Sequence, residues 1–135
     1  MNKTIGIFGG GQLGRMMAQA ALPLNIQCTF LEANTDCPSA ILGQVFSTKA
    51  ENGLQDFIAS ADVFSLEFEN TPLIDVDVLT KHKDLHPPRQ ALAIAQHRLS
   101  EKALFDALEI PVAPYKAVDS LDSLKLAVAE LGLPI

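Results

Sequence analysis

Apolar residues along this chain follow two patterns: short runs that are typical of buried strands, and three- or four-residue spacings that are typical of amphipathic helices. The runs predict strands at 4–8, 25–31, 44–47, 62–70, 84–86 and 115–118. The spacings predict helices that begin near residues 12 and 96, and others at 53–61, 72–82, 89–95 and 121–131. Strands that alternate with helices in this way predict an α/β fold around a mostly parallel sheet.

A glycine-rich turn follows the first strand. Its residues Gly9, Gly11 and Gly14 fit the pattern G-x-G-x-x-G between a strand and a helix. Glycine lets a ligand approach the backbone closely, and the start of a helix offers unpaired N–H groups to an anion. The pattern therefore indicates a floor for a nucleotide or another phosphorylated ligand, although a turn that only closes a strand–helix unit has the same residues. One face of the following helix carries the apolar residues Leu13, Met16, Met17, Ala20 and Ala21.

Acidic residues stand at the ends of two predicted strands. Glu32 lies about twenty positions beyond the glycine turn, where a carboxylate either binds a ribose hydroxyl in dinucleotide-binding folds or is simply solvated. Glu67 and Glu69 end the strand at 62–70, and ligands of open α/β sheets bind outside the carboxyl ends of strands. We expect Glu67 to contact a ligand. Glu69 is expected to favour a helix start that Thr71 caps and in which Pro72 is the first residue.

Two features mark the second half of the chain. Arg98 and Lys102 are four residues apart on one helix face, which is typical of a solvated basic pair. The proline-rich segment 110–114 predicts a linker and is the best candidate for a domain boundary. Ser120 is expected to cap a last helix with four inward residues, Leu121, Leu124, Val128 and Leu131. The apolar residues 133–135 then predict a new strand, so we expect the chain to be the N-terminal part of a longer protein.

The composition excludes several classes of protein. The 135 residues are 48% hydrophobic and 19% charged, which predicts a folded domain with its own core. The net charge of -6 argues against a general nucleic-acid-binding surface. The first apolar run, 4–8, is too short for a signal-peptide core or a membrane span, and Cys28 and Cys37 do not have the spacing of a metal site. We therefore expect a cytoplasmic protein with reduced cysteines and neither a nucleic-acid nor a membrane partner.

Five segments of the chain, in order and spacing, resemble the ATP-grasp enzymes of purine synthesis. They are 7–16 (IFGGGQLGRM), 67–72 (EFENTP), 95–102 (AQHRLSEK), 110–114 (IPVAP) and 131–134 (LGLP). The resemblance implies a Rossmann-like pre-ATP-grasp domain at 1–95 that binds the substrate. It also implies that 96–135 hold a helix, a linker and the truncated beginning of an ATP-grasp domain.

Within that family, the chain is most similar to the members that carboxylate 5-aminoimidazole ribonucleotide. Such a ligase uses ATP and Mg²⁺ to activate bicarbonate as carboxyphosphate, and the exocyclic amine of the ribonucleotide is then carboxylated. The resemblance implies a homodimer. It places the substrate site at Gly11, Gln12, Leu13 and Glu67, and an ATP contact at Arg98. The family's ATP-binding lysine, lid loop and metal ligands would lie beyond residue 135, so we expect no catalytic residue and no activity from this chain alone.

Two residues depart from the family's pattern. His97 stands where the family has aspartate, which leaves open the partner that an aspartate would orient, and Glu109 stands where it has glycine. One alternative is a related ATP-grasp enzyme, of the formate-dependent glycinamide ribonucleotide transformylase or biotin carboxylase type, against which Gln12 and Phe68 argue. The other is the NAD-binding domain of an oxidoreductase, which the glycine pattern and Glu32 favour.

Overall fold

The computed structural model describes residues 3–133 and divides into two compact units, Met1–Gln96 and His97–Ile135. The strands of the first unit are β1 Thr4–Phe8, β2 Gln27–Glu32, β3 Gln44–Ser47, β4 Val63–Leu66 and β5 Leu85–His86. They form one sheet in the order β3-β2-β1-β4-β5, and each neighbouring pair is parallel. The predicted α/β fold with a parallel sheet is confirmed. The functional boundary at 95/96 stays a prediction.

Within residues 3–133 the structure has six α-helices. The first unit contains α1 Gln12–Ala21, α2 Gly53–Ala59, α3 Leu73–Leu79 and α4 Arg89–Ala95, and the second contains α5 Arg98–Ala107 and α6 Leu121–Leu131. A 3₁₀ turn, Leu22–Leu24, follows α1. None of these helices is long and apolar enough to cross a membrane.

Aromatic residues fill the core on one face of the sheet. Phe57 of α2 stands edge-on to Phe8 of β1 and to Phe64 of β4, and the ring centroids are 5.1 Å apart in both pairs. Helices α3 and α4 add three buried residues to this cluster, Val76, Leu79 and Leu92. The central strand β1 is thereby covered by α2, α3 and α4 on this side, because burial of these large side chains is strongly favourable.

Helix α1 covers the other face of the sheet, and its buried residues are Gly14, Ala18 and Ala21. The apolar face predicted for this helix is therefore only in part the face that packs, since Leu13 and Met16 are 53% and 54% exposed. Small residues face inward because the helix begins close to the glycine turn. A Cβ atom on Gly14 would lie 3.0 Å from the carbonyl oxygen of Gly9.

The second unit consists of α5, an irregular segment at 108–120 and α6. The strand predicted at 115–118 is wrong, because a strand needs a pairing partner and the described part of this unit contains no other strand. The predicted cap of α6 is confirmed, since the Ser120 hydroxyl accepts a hydrogen bond from the Ser123 amide at 3.1 Å.

Helix α6 is followed by Gly132, whose φ of 83° is a left-handed conformation that favours glycine. Of the four α6 residues expected to face inward, Leu121 and Leu124 are exposed, and Ala127 is buried instead. The new strand predicted at 133–135 falls largely on residues 134 and 135, which lie outside the described range.

Candidate functional site

The glycine turn and Glu67 meet at the carboxyl edge of the sheet. The turn follows β1, and Glu67 follows β4, which is the neighbour of β1 in the sheet. The strand predicted at 62–70 ends earlier, at Leu66, but the Glu67 amide still donates to the carbonyl of Phe8 at 2.9 Å. This hydrogen bond fixes the start of the β4–α3 loop beside the turn, so that the Glu67 side chain reaches α1.

The carboxylate of Glu67 pairs with the amides at the start of α1. Its oxygens accept hydrogen bonds from the backbone N–H of Gly11 at 2.7 Å and of Leu13 at 3.2 Å. Helix α1 has no acidic residue in its own first turn and no side-chain cap. Glu67 therefore supplies, from a different strand, the negative charge that the start of a helix favours.

All three glycines of the motif make room for this carboxylate. A Cβ atom would lie 2.6 Å from a Glu67 oxygen if placed on Gly9, 2.4 Å if placed on Gly11 and 3.0 Å if placed on Gly14. Gly9 also has a φ of 104°, which other residues rarely adopt. The turn thus holds a protein carboxylate at the amides where the sequence pattern suggested a ligand phosphate.

Glu32 and Ser39 fix the opposite side of the turn. Glu32 accepts hydrogen bonds from the Gly10 amide at 3.2 Å and from the Ala33 amide at 2.7 Å. Ser39 is fully buried, and its amide and hydroxyl donate to the carbonyls of Gly10 at 3.0 Å and of Gly11 at 3.1 Å. Glu32 therefore binds backbone of its own chain with both oxygens, which does not favour a role as ribose ligand.

Sequence reasoning missed Ser39, which lies in a loop of ordinary turn residues. No local signal marks its contact, since it reaches a turn 28 positions earlier in the chain. Gly10 is packed as tightly as its neighbours, because a Cβ atom there would lie 2.5 Å from the sulfur of Cys37. Both cysteines are free, as expected, and burial raises the pKa of the Cys28 thiol.

The predicted substrate residues lie together in the first unit. Gln12 and Leu13 are exposed in the first turn of α1, directly after Gly11 and next to the Glu67 carboxylate. A cavity of about 370 Å³ adjoins Glu67 and is lined by Leu66, Phe68, Glu69, Pro87, Ala91, Leu92 and Ala95. Its walls are mostly apolar, so the site combines one held carboxylate with apolar surface, as small-molecule sites commonly do.

The β4–α3 loop differs from the sequence prediction at its end. Thr71 does not cap α3, because its hydroxyl donates to the carbonyl of Phe68 at 3.3 Å. Pro72 is the residue before the helix, with an extended ψ of 124°, and Leu73 is the first helical residue. Glu69 is exposed and lies outside the first turn of α3, whose acidic residue is Asp75.

The predicted ATP contact, Arg98, lies in the second unit. Its side chain is 78% exposed and forms an ion pair with Glu101. The basic pair predicted with Lys102 has separate partners, since the Lys102 ammonium lies 5.8 Å from the ring centroid of Tyr115. His97 takes the capping position of α5, and its Nδ1 accepts from the Ser100 amide at 3.4 Å. An aspartate at this position would cap the helix in the same way.

Comparison with known proteins identifies the first unit. A family described as the ribonucleotide synthetase preATP-grasp domain matches residues 1–96. The chain belongs to this family. The predicted resemblance to purine-synthesis ATP-grasp enzymes and the predicted pre-ATP-grasp fold are both confirmed.

Two relatives of this preATP-grasp chain carry the same activity in their names. The N5-carboxyaminoimidazole ribonucleotide synthase of Brucella melitensis is 38% identical over 132 residues, which is 96% of this chain and 36% of that protein. The structure of the corresponding synthetase from Thermus thermophilus has a TM-score of 0.86 and 36% identity, over 96% of this chain and 37% of that one.

A third relative was solved with ligands. The N5-carboxyaminoimidazole synthase of Aspergillus clavatus, in complex with ADP and 5-aminoimidazole ribonucleotide, has a TM-score of 0.84 and 26% identity, over 98% of this chain and 37% of that one. The chain therefore spans about a third of the length of the relatives it matches.

Proposed function

We propose that this chain forms the ribonucleotide-binding part of an ATP-dependent carbon–nitrogen ligase that carboxylates 5-aminoimidazole ribonucleotide with bicarbonate in purine synthesis. The preATP-grasp family and the names of its relatives at 36% and 38% identity support this reaction. Because the chain spans about a third of those relatives, the complete ligase requires residues outside it.

The observation that carries the proposal is the position of Glu67. Its carboxylate is held at the carboxyl edge of the sheet by the Gly11 and Leu13 amides, next to the exposed side chains of Gln12 and Leu13. A carboxylate oxygen has more than one lone-pair direction, so Glu67 can also accept from an N–H or O–H of a ligand. An amine or a ribose hydroxyl of the ribonucleotide supplies such a donor.

The same geometry supports a proposal for which end of the ribonucleotide faces this chain. The Gly10, Gly11 and Leu13 amides already donate to Glu32 and Glu67, and two carboxylates repel a third anion. We therefore place the ribose and amine side of the ligand at the turn and its phosphate away from it. The NAD-binding alternative is disfavoured for the same reason, since its pyrophosphate would need these amides.

In the proposed reaction, the terminal phosphoryl group of ATP passes to bicarbonate, which gives ADP and carboxyphosphate. The amine then attacks the carboxyl carbon, and inorganic phosphate and a proton leave. The chain's own contribution is to orient the amine. Residues 3–133 contain no group of three or more His, Cys, Asp or Glu side chains that could hold a metal ion. We propose that the Mg²⁺ ligands and most ATP contacts lie outside this chain, with Arg98 as one ATP contact.

A cytoplasmic homodimer belongs to the same proposal.

The experiment that tests the function is an ATPase assay on the complete protein, with bicarbonate and 5-aminoimidazole ribonucleotide supplied separately and together. We expect ADP release only when both are present, and carboxylated ribonucleotide as the product. A rate of ATP consumption that is the same with and without the ribonucleotide would overturn the proposal.

A further inference from the structure

The amide side chain of Gln96 connects the end of the first unit to the loop that carries Glu67. Its Nε2 donates to the backbone carbonyl of Glu69 at 2.7 Å and to that of Thr71 at 2.7 Å. A carboxamide has two N–H donors, and both are used here. Gln96 therefore satisfies two backbone carbonyls of one short loop with a single side chain.

Gln96 is itself well anchored. It follows α4, and its backbone amide donates to the carbonyl of Leu92 at 3.0 Å. The Leu92 side chain is only 3% exposed and packs in the core cluster with Val76 and Leu79 of α3. The side chain of Gln96 thus extends from a helix end that the core holds in place.

The loop depends on fixed points at its two ends. At its start, the Glu67 amide donates to the carbonyl of Phe8. At its end, Thr71 is 2% exposed, and Gln96 binds its carbonyl. Between these points, Phe68 is 42% exposed and Glu69 is exposed, so this stretch has little packing of its own.

We infer that Gln96 is a positioning residue for substrate binding: it holds the 67–71 loop so that the Glu67 carboxylate stays on the Gly11 and Leu13 amides. The expected effect on the ribonucleotide KM rests on the proposed function, whereas the expected effect on the 67–71 loop rests on geometry alone. Loss of the two donors removes both hydrogen bonds, one of them at the buried Thr71, and lets the loop move away from the turn. Arg98, two residues further on, plays no part in these contacts.

The test uses Gln96→Met in the complete protein, because methionine has a similar length and no hydrogen-bond donor. The matched control is Gln90→Met, the same change at an exposed position of α4. For Gln96→Met we expect the KM for the ribonucleotide to rise about tenfold, with the KM for ATP within about twofold of the wild-type value. The control is expected to keep both wild-type values.

A second readout does not depend on activity. Hydrogen exchange of the Gly11 and Leu13 amides is expected to be faster in Gln96→Met than in Gln90→Met, because these amides donate to Glu67. Unchanged exchange at both amides overturns the inference, as does a wild-type KM for the ribonucleotide or an equal rise in both KM values. An inactive wild-type enzyme overturns the proposed function instead, and the exchange result then decides this inference alone.

If Gln96→Met does not fold, Gln96→Lys decides the question, since lysine keeps N–H donors at a similar reach. A ribonucleotide KM near the wild-type value in Gln96→Lys supports the inference. A KM that rises as far as expected for the donor-free side chain contradicts it.

Discussion

The Glu67 carboxylate occupies the space that a side chain on Gly11 would need. A Cβ atom on Gly11 would lie 2.4 Å from a Glu67 oxygen, and the Gly11 amide donates to the same carboxylate at 2.7 Å. The hydrogen bond requires glycine at position 11, since the amide reaches the carboxylate only if no side chain stands between them. The glycine motif of this chain is therefore best explained by a carboxylate from the loop that follows the neighbouring strand.

Gly11→Ala is expected to reduce the free energy of unfolding by about 2 kcal/mol, because the added methyl group displaces Glu67 from its amides. Equilibrium denaturation in urea measures this loss. Combining the change with Glu67→Ala, which makes room for the methyl group, should cost clearly less than the sum of the two single changes. Strict additivity would show that Gly11 and Glu67 do not share this space.

Glu67→Gln is expected to raise the KM for the ribonucleotide about tenfold in the complete protein, because the neutral amide loses a charge-assisted hydrogen bond to the ligand. Steady-state kinetics with saturating ATP and bicarbonate measure the change. Glu51→Gln, which removes the same charge from an exposed residue that does not line the cavity beside Glu67, is the control and should leave KM near its wild-type value. Equal effects of the two changes would mean that only the net charge of the protein matters.

Ser39→Ala is expected to reduce the free energy of unfolding by about 1 kcal/mol, because it removes a buried hydroxyl hydrogen bond to the Gly11 carbonyl, which keeps only the Arg15 amide as donor. Thermal or urea unfolding measures this loss. The control is Ser100→Ala, which removes an exposed hydroxyl with a long 3.4 Å contact to His97 and should cost less. A similar cost at both positions would contradict the role given to Ser39 at the turn.

The two cysteines should react with iodoacetamide at different rates. Cys37 is half-buried beside the glycine turn, whereas Cys28 is buried, and burial raises its pKa. Cys28 stays protonated to higher pH because its pKa is raised, and the thiolate is the form that reacts. Alkylation of Cys28 should therefore become measurable only in more alkaline buffer. Mass spectrometry of the labelled protein between pH 7 and about pH 9 should find Cys37 modified first. Preferential labelling of Cys28 would show that the packing around β2 is looser than described.

Most of the fold could be predicted because strand formation here follows local apolar runs. The runs at 4–8 and 44–47 match β1 and β3 to the residue, and the helix predicted at 89–95 matches α4. Glu67 could be found because a carboxylate is out of place at the end of a buried strand. Ser39 and the use of Glu32 could not, since both depend on contacts with a turn more than twenty positions away.

The errors have specific physical causes. The strand predicted at 115–118 has suitable residues, but the described part of its unit offers no strand to pair with. The apolar face of α1 differs from the predicted one because the approach of Glu67 to the helix start leaves little room for a side chain at Gly14. Both errors arise where the deciding contact comes from a distant part of the chain, which periodicity does not record.

The strand order has a consequence for what this scaffold could become. Strands β2 and β3 lie on one side of β1 in the sheet, and β4 and β5 lie on its other side, so the order of the strands reverses between β1 and β4. Helix α1 packs on the opposite face from α3. A crevice opens at such a reversal in parallel sheets. Here the Glu67 carboxylate occupies two backbone amides at the reversal. Replacing Glu67 by a small neutral residue would uncover two amides at the positive end of a helix, and the same turn would become a receptor for anions.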